Sequence, residues 1–171
     1  IAALHLKSCS FEPDAPAMKL FDVQETSFEI SAYNARLKTE RRVRIKVFNE
    51  KGYKHASVKI PYFSKKGIAK IKELNGAIYN VGDDGKIIVN KLEKKDFFKE
   101  KAADNVGVVN FTFPGLKPGS IIEYSYTTIE NNLIYLNPWF IQDEIPVVYS
   151  SCIITTPVQS KIFERVFGSD T

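Results

Sequence analysis

Between residues 108 and 127 the chain alternates, breaks at two Pro-Gly pairs, and alternates again. Val109, Phe111 and Phe113 are separated by Asn110 and Thr112, while Ile122, Tyr124 and Tyr126 are separated by Glu123 and Ser125. Successive side chains of a strand point to opposite sides, so this pattern specifies strands with one buried, aromatic face. Pro114-Gly115 and Pro118-Gly119 each join a fixed φ to a residue free to take positive φ, as a tight reversal requires. The stretch reads as a hairpin or two adjacent strands, and it can bury its aromatic face only if the rest of the chain supplies more strands.

The rest does. Residues 17–23 read as a first strand, and 26–33 alternate with Phe28 and Ile30 on one side. In residues 42–47, Val43, Ile45 and Val47 face one way and Arg42, Arg44 and Lys46 the other, the signature of an antiparallel strand with one wet face. Ala56, Val58 and Ile60 belong to the next strand, which Pro61 ends or places at a sheet edge. Residues 68–81 form one long strand or two. Gly82-Asp83-Asp84-Gly85 is a turn from which Ile87-Ile88-Val89 returns. Residues 90–103, with Leu92 and Phe97 among charges, fit a short surface helix about as well as a loop. A last strand runs through 147–155. In 158–171, Ile162, Phe163, Val166 and Phe167 recur at helical spacing. The pattern predicts an all-β, mostly antiparallel β-sandwich with at most one short helix besides that tail. Residues 1–10 are a lead-in, 11–157 the sandwich, and 158–171 a tail toward a further domain.

Totals narrow the function classes. A chain of 171 residues with 44% apolar residues suits one folded domain of the usual ~100–200 residues. No apolar run approaches the ~20 residues of a membrane helix. The first residue is Ile1 with no basic-then-apolar leader, which fits either a removed signal peptide or a piece of something longer. Residues 51–101 carry 13 lysines, no arginine and six acidic residues, an excess of seven positive charges. Nucleic-acid recognition favours arginine forks and exposed aromatics, so lysine alone reads as a solvated surface that guards sheet edges.

Candidate chemistry is sparse. Cys9 and Cys152 are too few for a zinc site; they either bridge or, as free cysteines usually do, lie buried apart. Cys152 with His5 or His55 would need an imidazole within hydrogen-bond reach, and an apolar strand raises a thiol's pKa and makes it inert. Asp83, Asp84, Asp14 and Glu12 are turn residues rather than the six-oxygen set of a calcium loop. Glu123 faces away from Ile122 and Tyr124 and is placed to meet Arg42 or Arg44 across strands, an ion pair of ~0.2–1 kcal/mol. Trp139, with Tyr124 and Tyr126, is the candidate ligand platform; packed instead with Phe140, it would plug the end of the sandwich. The residues propose no catalytic group, metal or cofactor.

Four segments together carry a resemblance: Asp14-x-x-Ala17; Arg44-Ile45-Lys46-Val47 before a glycine turn; residues 113–126; and Trp139-Phe140-Ile141-Gln142 followed by Pro146-Val147. Lys-x-Gly-Ser-Ile-Ile-Glu-Tyr-x-Tyr, here Lys117 to Tyr126, is the most specific part. The chain resembles the domain of unknown function that precedes transglutaminase-like domains in exported proteins of Bacteroidetes. The resemblance implies a β-sandwich in which Lys117, Gly119, Glu123, Gln142 and Pro146 are structural. It also implies a periplasmic or exported setting, no catalytic residues in this chain, and a downstream domain of the same polypeptide as partner. The expected role is a non-catalytic accessory domain; the alternative is a glycan- or peptide-binding module.

Overall fold

The computed structural model describes residues 2–32, 34–131, 133 and 136–158. The helical spacing read in the tail therefore lies, from residue 159 on, outside the described residues. Among the described residues, nine strands make two sheets. One has six strands in the order β5-β4-β8-β2-β1-β9, and the other three in the order β3-β7-β6. The strands are β1 (Ala17–Ile30), β2 (Ala35–Val47), β3 (Ser57–Phe63), β4 (Ala69–Val81), β5 (Ile87–Lys91), β6 (Phe98–Ala103), β7 (Val106–Thr112), β8 (Ile121–Glu130) and β9 (Ser150–Thr155). All pairings are antiparallel except that of β9 with β1. The all-β sandwich is as the alternation requires.

The central stretch is not a hairpin. β7 pairs with β3 and β6 in the small sheet, while β8 pairs with β2 and β4 in the large one. The Pro-Gly segment 114–120 therefore carries the chain from one layer to the other. Alternation fixes which side is buried but not which neighbour supplies the hydrogen bonds, and both arrangements bury the same aromatics. Phe111 shows the result. It packs edge-on against Phe97 at 5.0 Å, Phe113 at 5.8 Å and Tyr124 of the opposite sheet at 5.6 Å. Val43, Ile45, Val47, Ile78, Val109 and Ile122 complete this core, all at most 3% exposed.

Two more expectations change, and between the two alternatives for residues 68–81 the structure has the single strand. Residues 17–30 form a single strand with a bulge at Leu20 rather than two. Residues 68–81 contain one strand, β4, with an irregularity between Lys72 and Asn75 where Glu73 takes a φ of 51°. Residues 90–103 hold no α-helix. β5 ends at Lys91, a 3₁₀ turn spans Lys94–Asp96, and β6 follows. Leu92 packs against Gly76 and Phe97 against Phe111, so the apolar pair that mimics a helix face spans a sheet-to-sheet connection. Pro61 sits in β3, an edge strand, where its missing N–H costs no ladder bond.

Lys46 overturns the reading of β2 as wet along its whole outer face. It is 0% exposed. The N-terminal segment folds back over this end of the sheet, with Leu4 and Cys9 buried and Cys9 packed with Ala15 and Met18. The lead-in thus forms a second, smaller core on the outer face of the large sheet.

Candidate functional site

The inner face of the large sheet has two halves. Toward one end it is apolar and covered by the small sheet. Toward the other it turns polar, because the same parity that buries Val43 lands next on Arg41 and Thr39, opposite Gln24, Thr26, Tyr126 and Thr128. Between the sheets here lies a cavity of about 260 Å³, lined among others by Gln24, Arg41, Tyr124, Tyr126, Glu130 and Asn137. The volume falls just below the ~300–1,000 Å³ usual for small-molecule sites.

Arg41 organises this region. Its Nε and Nη2 donate to Asp22 Oδ1 and Oδ2 at 2.9 and 2.8 Å, a bidentate pair on a carboxylate only 2% exposed. Lys19 donates to the same Asp22 at 2.7 Å and reaches Asp143 at 2.6 Å. Burial works to raise the Asp22 carboxyl, but the hydrogen bonds and charges of Arg41 and Lys19 outweigh it and hold the group below its ordinary range. Burial likewise opposes the Arg41 charge, and Asp22 more than restores it. Trp139 lies with its ring 5.1 Å from the Arg41 guanidinium, and its Nε1 donates to Ser150 Oγ at 3.1 Å. The network ties the 138–150 segment down onto the sheet.

The candidate platform residues therefore do meet, through Arg41. Tyr124 and Tyr126 line the cavity, and Tyr124 is also core, its hydroxyl pushed up by burial. Trp139 is half-buried with a guanidinium against its ring, not an open platform. Phe140, expected beside it in the core, is 75% exposed. Gln142 is exposed, whereas Pro146 is buried and its carbonyl accepts Lys19 N–H at 2.8 Å.

The Lys117–Tyr126 motif has a structural explanation. Lys46 Nζ donates to Gly119 O at 2.6 Å and Leu4 O at 2.7 Å. Burial, with some repulsion from Lys7, lowers the Lys46 ammonium to about 8. Gly119 has a φ of 91°, a conformation a side chain rarely adopts. Ser120 is fully buried; its Oγ accepts Lys117 N–H at 2.9 Å and donates to Asn80 Oδ1 at 2.5 Å. Lys117 Nζ donates to Val81 O at 3.0 Å. Glu123 meets both Arg42 and Arg44, each Nε at 2.6 Å, as the cross-strand parity anticipates.

Cys9 and Cys152 are free thiols, the first buried and the second half-buried. Cys152 Sγ accepts from Gln24 Nε2 at 3.6 Å; burial raises the thiol, against the pull of that bond and of Arg41. His5 is exposed. His55 lies by Lys54 and the 143–144 carboxylates, its Nε2 buried without a partner and its pKa lowered by burial and Lys54. Among the described residues no three His, Cys, Asp or Glu side chains converge as a metal would require, and no helix is long and apolar enough to cross a membrane.

Sequence reasoning missed Asp22, Arg41, Lys19, Asp143, Gln24 and Glu130. One signal was present: extending the Val43–Ile45 parity backwards puts Arg41 inside, and an inward arginine demands a buried carboxylate. Which carboxylate answers it depends on strand pairing.

Residues 34–170 match the family described as "Domain of Unknown Function with solved-structure structure (DUF3857)". The sequence matches no curated protein. Among solved structures, the fold is similar to that of a "putative protease" from Parabacteroides distasonis ATCC 8503, with TM-score 0.66 at 17% identity. The likeness covers 84% of this chain but 29% of that one, so this chain spans less than a third of that protein's length.

Proposed function

The chain belongs to the DUF3857 family, and from that premise we propose that it is a non-catalytic accessory domain of a larger exported bacterial protein, packing against and positioning a downstream transglutaminase-like domain. The observation that carries this reading is where the charges at the candidate site go. Arg41 and Lys19 are taken up by Asp22 and Asp143, and Trp139 by Arg41 and Ser150. Groups held this way fasten a framework; they are not poised to touch a reacting atom. Cys152, with its thiol raised and a glutamine as its neighbour, is a poor nucleophile. The similarity to part of a much longer chain fits a domain that works beside others.

The alternative, a glycan or peptide module, draws on the cavity that Tyr124 and Tyr126 line. It is the weaker reading, because the one indole is covered on Arg41 rather than open.

The test is to produce this chain and the polypeptide encoded after it as separate pieces. Titration calorimetry should find association with a micromolar or tighter Kd. Iodoacetamide at neutral pH should label native Cys152 slowly, and Cys152→Ser should leave any activity of the joined protein intact. No association in calorimetry or gel filtration, or loss of activity in Cys152→Ser with the fold retained, overturns the proposal. Fractionation of the native host should find the protein outside the cytoplasm.

A further inference from the structure

Open strand edges invite pairing, and proteins normally guard them with charge, proline or cover. Three of the four edges here follow that rule. β5 ends in Lys91 and follows Lys86; β6 reads Phe-Lys-Glu-Lys-Ala-Ala; β3 contains Lys59 and Pro61. β9 does not. From Ile145 to Val158 there is no charged residue, in a chain that is 26% charged.

This unguarded edge is longer than β9 itself. Lys19 N–H bonds Pro146 O, Val148 N–H bonds Lys19 O at 2.9 Å, and Asp22 N–H bonds Tyr149 O at 2.9 Å, before the parallel ladder from Ser150 to Thr155 begins. With Asp22 held by Tyr149 O, the alternation of a parallel ladder gives Ser151 and Ile153 to β1. It turns the N–H and C=O of Ser150, Cys152 and Ile154 outward. Val148, Tyr149, Ile153 and Ile154 are exposed along it, and Phe140 and Ile141 are exposed in the preceding segment.

We propose that β9 takes up, by strand addition, an extended uncharged strand from the domain adjoining this fold on the same polypeptide, making a seventh strand of the large sheet. This rests on the accessory reading above and specifies its docking surface. Three observations favour that occupant. The edge offers main-chain bonds and apolar side chains but no charge, which suits an apolar strand and not a charged peptide. β9 ends at Thr155, three residues before the last described residue, so this edge strand is the one closest in sequence to whatever follows it. A tethered strand also has a high effective concentration, so a short edge suffices.

The experiment is hydrogen–deuterium exchange on the 171-residue chain and on the full-length polypeptide, each as wild type, Ile154→Pro and Ile154→Lys. Ile154→Pro removes an outward N–H and spares the bonds to β1; Ile154→Lys supplies the missing guard should proline prevent folding. The amides of residues 149–155 that face away from β1 should exchange freely in the 171-residue chain and about 100-fold more slowly in the full-length protein. Both variants should abolish that slowing. Protection already present in the isolated chain, or protection that rises with concentration alongside a dimer in light scattering, overturns the proposal, since the chain's own segment or a second copy then covers the edge. Slowing elsewhere on the sandwich but not at 149–155 also overturns it while leaving the accessory reading intact. No slowing anywhere on the sandwich removes both.

Discussion

The large sheet holds a cation on each of its faces, one half-buried and one fully buried, and the two are handled in opposite ways. On the inner face Arg41 is answered by a carboxylate, with Asp22 gripping it through both oxygens and Lys19 and Asp143 completing a balanced cluster. On the outer face, among the described residues, Lys46 is answered only by the main-chain carbonyls of Leu4 and Gly119. The first arrangement favours the charged forms of its members, so the Asp22 carboxyl is lowered. The second penalises charge, so the Lys46 ammonium falls to about 8. Pairing fixes a charge, whereas carbonyls alone hold an amine that still donates both hydrogen bonds once neutral. The two sites therefore respond to pH from opposite ends of the scale.

Removing the carboxylate should cost most. Asp22→Asn leaves Arg41 and Lys19 without their shared partner, and breaking a fully buried pair this way costs about 3–5 kcal/mol. Arg41 is 30% exposed, so water recovers part of that, and we expect about 2–4 kcal/mol in urea unfolding. A loss below 0.5 kcal/mol would show that the network is ornamental. Lys46→Met keeps the apolar stem, abandons two carbonyls and removes an unpaired charge. We expect a net loss of about 1–3 kcal/mol, because the orphaned carbonyls outweigh the relief of the charge. A stabilised Lys46→Met protein would reverse that balance.

The pH dependence sharpens the contrast. Lys46 titrates near 8 when folded and near 10.5 when unfolded, so between those values the unfolded chain binds more protons and stability rises with pH. The slope should approach but not exceed about 1.4 kcal/mol per pH unit, and it should vanish in Lys46→Met. Asp22, lowered in the folded state, contributes stability that is fully present above the ordinary carboxylate value of 3.8 and is lost as pH falls below it. The acid limb of the profile should flatten in Asp22→Asn and not in Lys46→Met. Smallest of all, Glu123→Gln removes the outer-face bridge to Arg42 and Arg44. It should cost only ~0.2–1 kcal/mol and fade in high salt, since Arg42 is more than half exposed.

Part of each site was legible beforehand. Glu123 opposite Arg42 and Arg44 follows from side-chain parity plus the proximity of two strands. The turn at Gly119 and Ser120 follows from Pro118, whose ring fixes φ, next to a glycine free to take the positive φ that the reversal needs. Arg41 was half legible, because its inward parity marks it as needing a partner, but the partner comes from β1, 19 residues away in sequence. Lys46 read as wet, since nothing local says that residues 2–9 will fold over the sheet. Leu92 and Phe97 read as a helix face because their spacing is the same whether one helix or two sheets bring them inward.

The sequence by itself determined the period: which side of each strand is apolar, where the chain must turn, and hence an all-β sandwich with an aromatic interior. Those properties are encoded within a few residues, where backbone sterics and side-chain direction act. Tertiary structure alone decided that β7 and β8 lie in different sheets, that one lysine is sealed in and one arginine paired, and that the uncharged strand β9 falls at an edge. Each of those depends on which distant segment arrives alongside, and burial and hydrogen bonding are properties of the neighbour as much as of the residue.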